Sequence, residues 1–300
     1  MTMGEDRMRK AMQTAVRRLI EENEDTALLL VDIGVWPFRD LLDRFPKRAK
    51  NIGIFEPGTI SIAAGLSLSG VTPTVYGISP FIVQRSLEQL KLDFVYQQTG
   101  GNFITTGAAY DFSTLGYSHY CPEDAATLRL LPGMEILTPG TPEQFTSLFR
   151  SCCKNGRPSY FRMTDYSNRT KVEVAYGRAN VLRRGTAATV IAVAEQLDAT
   201  LEACKGLNVT VLYYTTLAPF DGETLRREFV GGKVFVSAPL YTGSLSAAIL
   251  DALNGKKVRC AGAEIPLEVL RSYGAKGEKD IALQLDAAGI RRKLQNFCEI

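Results

Sequence analysis

Three hundred residues are more than one compact core usually needs, and 45% hydrophobic with 22% charged side chains is ordinary globular composition, so two α/β units are expected. The net charge of +3 is small for this length and no basic stripe is interleaved with aromatics, so no nucleic-acid partner is expected. The six cysteines, at 121, 152, 153, 204, 260 and 298, contain no CxxC pair. That pattern suits neither a disulfide framework nor a zinc site, and reduced thiols in a cytoplasmic protein are the reading it leaves. The first residues are charged where a signal peptide needs an apolar run, and no stretch reaches the roughly 18 apolar residues of a membrane span. A soluble chain without membrane contact is expected.

Residues 5–23 carry Met8, Met12, Val16, Leu19 and Ile20 at helical spacing with charges between them, which predicts an opening amphipathic helix. Residues 26–31 are a continuous apolar run of strand length, as in parallel strands covered on both faces, ending in a polar Asp32-Ile33-Gly34 turn. A short helix is expected over 39–45. The stretch 51–70 then reads as a short buried strand from Ile52 to Phe55, a single carboxylate at Glu56, a Pro57-Gly58 break and a helix. In that helix Ala63, Ala64, Gly65 and Ser67 leave little bulk on one side, while Ile60, Ile62, Leu66 and Leu68 supply an apolar one. A carboxylate where a strand ends and a helix begins meets the positive end of the helix dipole, where ligands of α/β proteins usually bind.

The alternation continues with a strand at 72–76, a helix at 80–96, a strand at 102–106 and a Gly-, Thr-, Ser- and Tyr-rich loop reaching His119, the one histidine. Pro122-Glu123-Asp124 opens a further helix, with proline in the first turn and acids facing the dipole. A strand at 135–137, a helix at 141–153 and a strand at 159–163 complete a parallel sheet covered on both faces. The polar run 165–184 is expected as a linker. Beyond it, strands at 189–193, 209–214, 234–236 and 258–261 alternate with helices at 195–204, 222–229 and 243–253, ahead of a helical tail. The fold class expected is α/β with two doubly wound domains, divided as 1–170 and 171–300. Gly231-Gly232 is no phosphate loop, since no helix start follows with GxGxxG spacing.

Three blocks, DRFPKRAKNIGIFEPGTISIAAGLSLSG, FIVQRSLEQL and GYSHYCPEDAATLRLLPGMEILTP, resemble in order and spacing the pyrimidine-binding domain of the transketolase family of thiamine diphosphate enzymes, over roughly residues 8–165. The second unit resembles that family's C-terminal domain. Full-length members also carry a diphosphate-binding domain with a GDG…N motif that holds the metal and the diphosphate, and this chain has no GDG. In the family the cofactor lies between the pyrimidine domain of one protomer and the diphosphate domain of another. The resemblance therefore implies the C-terminal subunit of a split transketolase. Its partner would be an N-terminal subunit holding Mg²⁺ (or Ca²⁺), in an α2β2 heterotetramer that neither chain replaces alone.

The resemblance assigns roles to particular residues. Glu56 matches the glutamate that hydrogen-bonds the aminopyrimidine ring nitrogen and favours the imino tautomer, which takes the proton from the thiazolium carbon to form the ylid. A helix-capping carboxylate is the plainer account of an isolated Glu at this point. Phe81 falls where an aromatic packs on the pyrimidine ring, with Tyr76 at the strand end upstream, although a core role suits such residues equally. His119, in Gly116-Tyr117-Ser118-His119, matches a Gly-Pro-Thr-His motif whose histidine contacts substrate and moves protons. Helix initiation accounts for Glu123 and Asp124, with a subunit contact beneath the cofactor as the alternative. Arg9 and Arg162 fall where transketolases clamp a sugar phosphate, a task suited to bidentate guanidinium groups, against a plain reading as exposed arginines. Two departures put the usual phosphorylated sugars in doubt: a family histidine is replaced near Gly107-Ala108, and an acid becomes Leu115.

The function this implies is transfer of a two-carbon ketol unit from a ketose, phosphorylated or otherwise anionic, to an aldehyde. The alternatives are the β subunit of a 2-oxo-acid dehydrogenase, with the same domain order and glutamate, and a non-catalytic regulatory subunit, which retention of Glu56 and His119 argues against.

Overall fold

The computed structural model describes residues 6–298; residues 1–5, with the first residue of the expected 5–23 helix, and residues 299–300 lie outside the described residues. The first half runs α1 (Asp6–Glu22), β1 (Thr26–Leu30), α2 (Arg39–Arg44), β2 (Ala49–Asn51), α3 (Glu56–Leu68), β3 (Thr72–Ile78), α4 (Ser79–Val83) and α5 (Leu87–Gln89). A π-helical turn (Leu90–Tyr96) continues α5, and β4 (Gly101–Thr106), α6 (Asp124–Arg129), β5 (Glu135–Leu137), α7 (Pro142–Cys152) and β6 (Pro158–Arg162) follow. The second half has β7 (Asn180–Arg183), β8 (Thr189–Val193), α8 (Leu197–Ala203), β9 (Thr210–Tyr214), β10 (Thr216–Ala218), α9 (Gly222–Glu228) and β11 (Lys233–Tyr241). It closes with α10 (Ser246–Ala252), β12 (Arg259–Ile265), α11 (Lys276–Ala282) and α12 (Ala287–Cys298).

The strands form a seven-stranded sheet in the order β10-β5-β6-β4-β3-β1-β2 and a five-stranded sheet in the order β12-β11-β8-β9-β7. Pairing is parallel except where β10 meets β5 and β7 meets β9. β1 is buried at every residue, as its unbroken apolar run requires. Its helix partner α1 buries Met8, Met12, Val16 and Ile20 in one apolar cluster with Leu148 and Phe149 of α7, so the helical spacing of those residues is used in full. α7 begins as its sequence suggests: Pro142 opens it, and the Thr141 side chain accepts from the Gln144 amide at 3.3 Å.

Four expectations change. The strand expected at 52–55 is not there: β2 ends at Asn51, Gly53 takes a φ of +88°, and Ile54 and Phe55 are 74% and 58% exposed. The Ile52 amide still bonds the Leu30 carbonyl at 2.8 Å, but β1 ends at that residue and supplies no further partner, so the apolar residues beyond are left pointing outward. In α3 the buried face is Glu56, Thr59, Ile60, Ala63 and Ala64, while Ile62 and Leu68 face out. The long helix expected over 80–96 is split at Ser86, whose φ of −116° and ψ of 20° interrupt the helical run. The end of the polar run 165–184 is β7, an edge strand and not linker. β10, just past β9, leaves the second half to pair antiparallel with β5 of the first sheet. The two halves accordingly share one apolar cluster, in which Met134 and Ile136 join Val193, Leu217 and Leu225.

One polar contact also crosses between them. Asp124, fully buried at the start of α6, accepts from Arg162 Nε at 2.8 Å, from the Tyr160 hydroxyl at 2.9 Å and from the Ala125 amide at 2.7 Å. Arg162 then donates through Nη2 to the Pro239 carbonyl in β11 at 2.9 Å. Removing the carboxylate with Asp124→Ala leaves a buried guanidinium unpaired and should cost roughly 3–5 kcal/mol. Urea unfolding measures it, and a loss below about 1 kcal/mol would show the pair to be dispensable.

Candidate active site at the carboxyl ends of the parallel strands

Parallel strands β1, β3, β4 and β6 run together, so the loops leaving their carboxyl ends gather on one edge of the sheet. The first of these side chains is Glu56, at the first turn of α3 and 2% exposed. Its Oε2 accepts from Arg85 Nη1 at 2.7 Å. The Arg85 guanidinium lies 4.2 Å from the centre of the Phe81 ring, so one residue engages both the carboxylate and the aromatic. Phe81 meets the His119 ring edge-on, with centroids 5.3 Å apart. His119 Nδ1 and the Ser118 hydroxyl share a 3.0 Å hydrogen bond. The Phe55 ring lies across the helix start against Gly58, where a Cβ would come within 1.9 Å of it.

The row continues past His119. Phe112 approaches it at 6.4 Å, and the Arg9 guanidinium stands 5.9 Å from the centre of the Phe112 ring. Phe112 also packs over Gly107, where a Cβ would meet the ring at 2.6 Å and where φ is +81°. The position that lacks the expected polar side chain is thus covered by an aromatic ring. Arg9 itself donates to both oxygens of Asp165, through Nε at 2.9 Å and Nη2 at 2.6 Å.

The protein is comparable with known ones at three levels. The family described as "Transketolase, pyrimidine binding domain" matches residues 6–169. This chain belongs to that family. A protein of Phocaeicola vulgatus, named as one of the subunits of an apulose-4-phosphate transketolase, is 29% identical over 302 residues, covering 96% of each chain. The "Uncharacterized 33.6 kDa protein in fasciation locus" of Rhodococcoides fascians is also 29% identical, over 96% of this chain and 93% of its own. Among solved structures, "Split gene transketolase, inactive beta4 tetramer" matches 97% of this chain and 98% of its own with a TM-score of 0.83 at 23% identity, which establishes the shared fold.

Within this transketolase-family chain, the structure brings together Glu56, Phe81 and His119 and adds Arg85, Phe112 and Asp165, which sequence reasoning had not singled out. Arg85 was legible only as part of the FIVQRSLEQL block, and Asp165 only as the start of a polar run. Tyr76 is placed elsewhere than beside Phe81: it is buried beneath Arg9 and Asp165, where burial pushes its hydroxyl up to about 12. Arg162 is corrected outright. An exposed or anion-clamping arginine was expected, but its side chain is buried and committed to Asp124 and Pro239, because it is an inward-facing residue of a strand covered on both faces. Glu123 bonds Gln84, and burial raises its carboxyl above the ordinary range. Among the described residues no group of three His, Cys, Asp or Glu side chains is arranged to hold a metal, and no helix is long and apolar enough to cross a membrane.

Behind the Arg9 end lies a cluster of buried charge. Asp111 Oδ2 accepts from the Asp165 amide at 3.0 Å, while its Oδ1 and both oxygens of Glu195 are buried without a hydrogen-bond partner. Burial, and then the charge of Glu195, push Asp111 up to about 7, with Lys276 acting in the opposite sense. Asp111 therefore holds its proton in the folded chain over a range where the unfolded chain has lost it. The stability this adds is complete below the ordinary carboxyl value of about 4 and is lost as the pH rises through about 7. Thermal melts between pH 4 and 8 should show the wild type losing ground to Asp111→Asn across this window. Parallel profiles for the two proteins would refute the assignment.

Proposed function

We propose that this chain is the pyrimidine-binding, C-terminal-type subunit of a split thiamine diphosphate-dependent transketolase. With a diphosphate-binding partner it would transfer a two-carbon ketol unit from a ketose to an aldehyde. The observation that carries the reading is the convergence of Glu56, Phe81 and His119 on one open edge of a chain whose residues 6–169 match the family. Division into units 1–170 and 171–300, Mg²⁺ or Ca²⁺ on the partner, an α2β2 assembly and a cytoplasmic location belong to the same proposal.

The residues present suit an aminopyrimidine. Glu56 is a buried carboxylate already engaged with a planar nitrogen cation, and Phe81 offers a flat apolar ring beside it. When bound, thiamine diphosphate supplies an activated carbon and an electron sink for bond cleavage beside a carbonyl. Glu56 would hold the ring nitrogen through a charge-assisted hydrogen bond and govern its proton. Phe81 would pack on the ring and fix its plane. His119, half-buried with Ser118 at its Nδ1, would donate to a substrate oxygen and exchange protons there. Arg9, already paired with Asp165, would offer substrate a neutralised polar edge and not a free cation, which favours hydroxyl groups over phosphate at that point.

A partner is supported by the surroundings of Glu56. Ile54, Phe55 and Ile62 expose apolar surface at and just before the first turns of α3, which a second polypeptide would cover. The Phocaeicola vulgatus relative, whose name makes it one subunit of a larger transketolase, agrees in kind.

Co-expression with a GDG-bearing partner provides the test. Glu56→Gln should lower kcat by about 100-fold or more at saturating thiamine diphosphate. His119→Ala should reduce kcat by at least about tenfold while cofactor affinity shifts little. Turnover near the wild-type value for Glu56→Gln would remove the reading.

A further inference from the structure

We propose that Arg85 is a positioning residue for Glu56, setting the aim of the carboxylate that would meet the cofactor ring. This rests on the function proposed above and goes beyond it, since neither the family resemblance nor any relative's name gives Arg85 a part.

Phe81 and Arg85 stand four residues apart, the spacing at which side chains on neighbouring helical turns meet. The Arg85 amide bonds the Pro80 carbonyl at 3.2 Å, so the chain is still turning as it leaves α4. From there the guanidinium reaches across to α3 and bonds Glu56 Oε2 alone, at 2.7 Å. Glu56 Oε1 remains for a ring nitrogen. Likewise the guanidinium covers one face of Phe81 at 4.2 Å, and an aromatic ring has a second face. Arg85 thus touches both groups that would meet the cofactor, through one carboxylate oxygen of Glu56 and through the ring of Phe81.

The exposures divide the labour. The Glu56 side chain is 3% exposed and that of Arg85 44%, so the carboxylate is enclosed while the guanidinium keeps part of its hydration. Among the described residues Arg85 alone pairs with Glu56. A buried carboxylate needs hydrogen-bond donors in place of the water it has lost, and the flat guanidinium fixes direction better than an ammonium because its donors lie in one plane. Its place over the Phe81 ring restricts the Arg85 side chain further. Arg85 therefore acts through Glu56, and its loss should be felt only while Glu56 is present.

That dependence is the experiment. Arg85→Gln, Arg85→Lys, Glu56→Gln and the Glu56→Gln/Arg85→Gln double variant are compared in two settings. In the free chain, without cofactor, thermal midpoints are measured. The two single substitutions should fail to add, with a coupling of roughly 2–4 °C. In the complex with the diphosphate-binding partner, thiamine diphosphate is titrated by calorimetry and kcat is read at saturation. Arg85→Gln should lower kcat about tenfold with cofactor affinity changed less than about threefold, Arg85→Lys should restore part of the loss, and the double variant should be no slower than Glu56→Gln alone. Additive losses in either setting would overturn the proposal. So would tighter cofactor binding with unchanged kcat in Arg85→Gln, which would make Arg85 an occupant of the ring's place. If Arg85→Gln does not fold, Arg85→Lys carries the same comparison, because it keeps the charge and loses the stacked plane. Wild-type behaviour of Arg85→Gln beside an inactive Glu56→Gln would sink this inference alone, whereas an active Glu56→Gln would sink the function on which it rests.

Discussion

The organisation of the molecule depends on a buried carboxylate that is not in the proposed site. Asp124 has no exposed surface and takes hydrogen bonds from Arg162, Tyr160 and the amide of Ala125. An ionised group can persist in such a place only when its lone pairs are met, and here they are met from β6 and from its own helix. Arg162 passes the connection on to β11 through the Pro239 carbonyl, joining the two sheets at this point. His119 lies five residues before Asp124, and between them the Cys121 amide bonds the Ala109 carbonyl at 2.7 Å. The loop that presents the histidine is therefore tied at its base to the same core.

The proposed site has the opposite character. Its residues come from separate loops, and they stand in a row in which guanidinium, ring, imidazole, ring and guanidinium alternate from Arg85 through Phe81, His119 and Phe112 to Arg9. Both ends are closed by carboxylates, Glu56 at one and Asp165 at the other. The phenyl rings and the imidazole order at little entropic cost, because each has few rotatable bonds for the area it covers, and the two guanidinium groups are held against the phenyl rings. One side of the row remains open to solvent, and the apolar residues beside Glu56 are exposed with it. An open row bordered by exposed apolar side chains is the form expected of half a site.

How far this was visible beforehand differs by element. The helical spacing of Met8, Met12, Val16 and Ile20, the uninterrupted TALLL of β1 and the helix expected over 141–153 lead directly to the observed elements. Glu56 and His119 were found through short blocks of residues close in the chain. By contrast the run Ile52–Phe55 has strand composition and forms none, since a strand exists only where a neighbour supplies hydrogen bonds. β10 escaped notice for the complementary reason: three residues after β9 look like its continuation, and only the free edge of β5 turns them into a strand of the other sheet.

What the sequence by itself determined was the alternation of strands and helices, the family, and a carboxylate at the start of α3. Periodicity and helix initiation are set by residues within a few positions of one another, so they can be read along the chain. What only the tertiary structure decided was which charges meet. Arg85 reaches Glu56 across 29 residues and Arg162 reaches Asp124 across 38, while Arg9 finds Asp165 over 156. Ion pairs have no sequence period, and the same residue type that clamps an anion when exposed holds a core together when buried. Burial, which the sheet order imposes, is the reason Arg162 became structural while Arg85 stayed beside the proposed site.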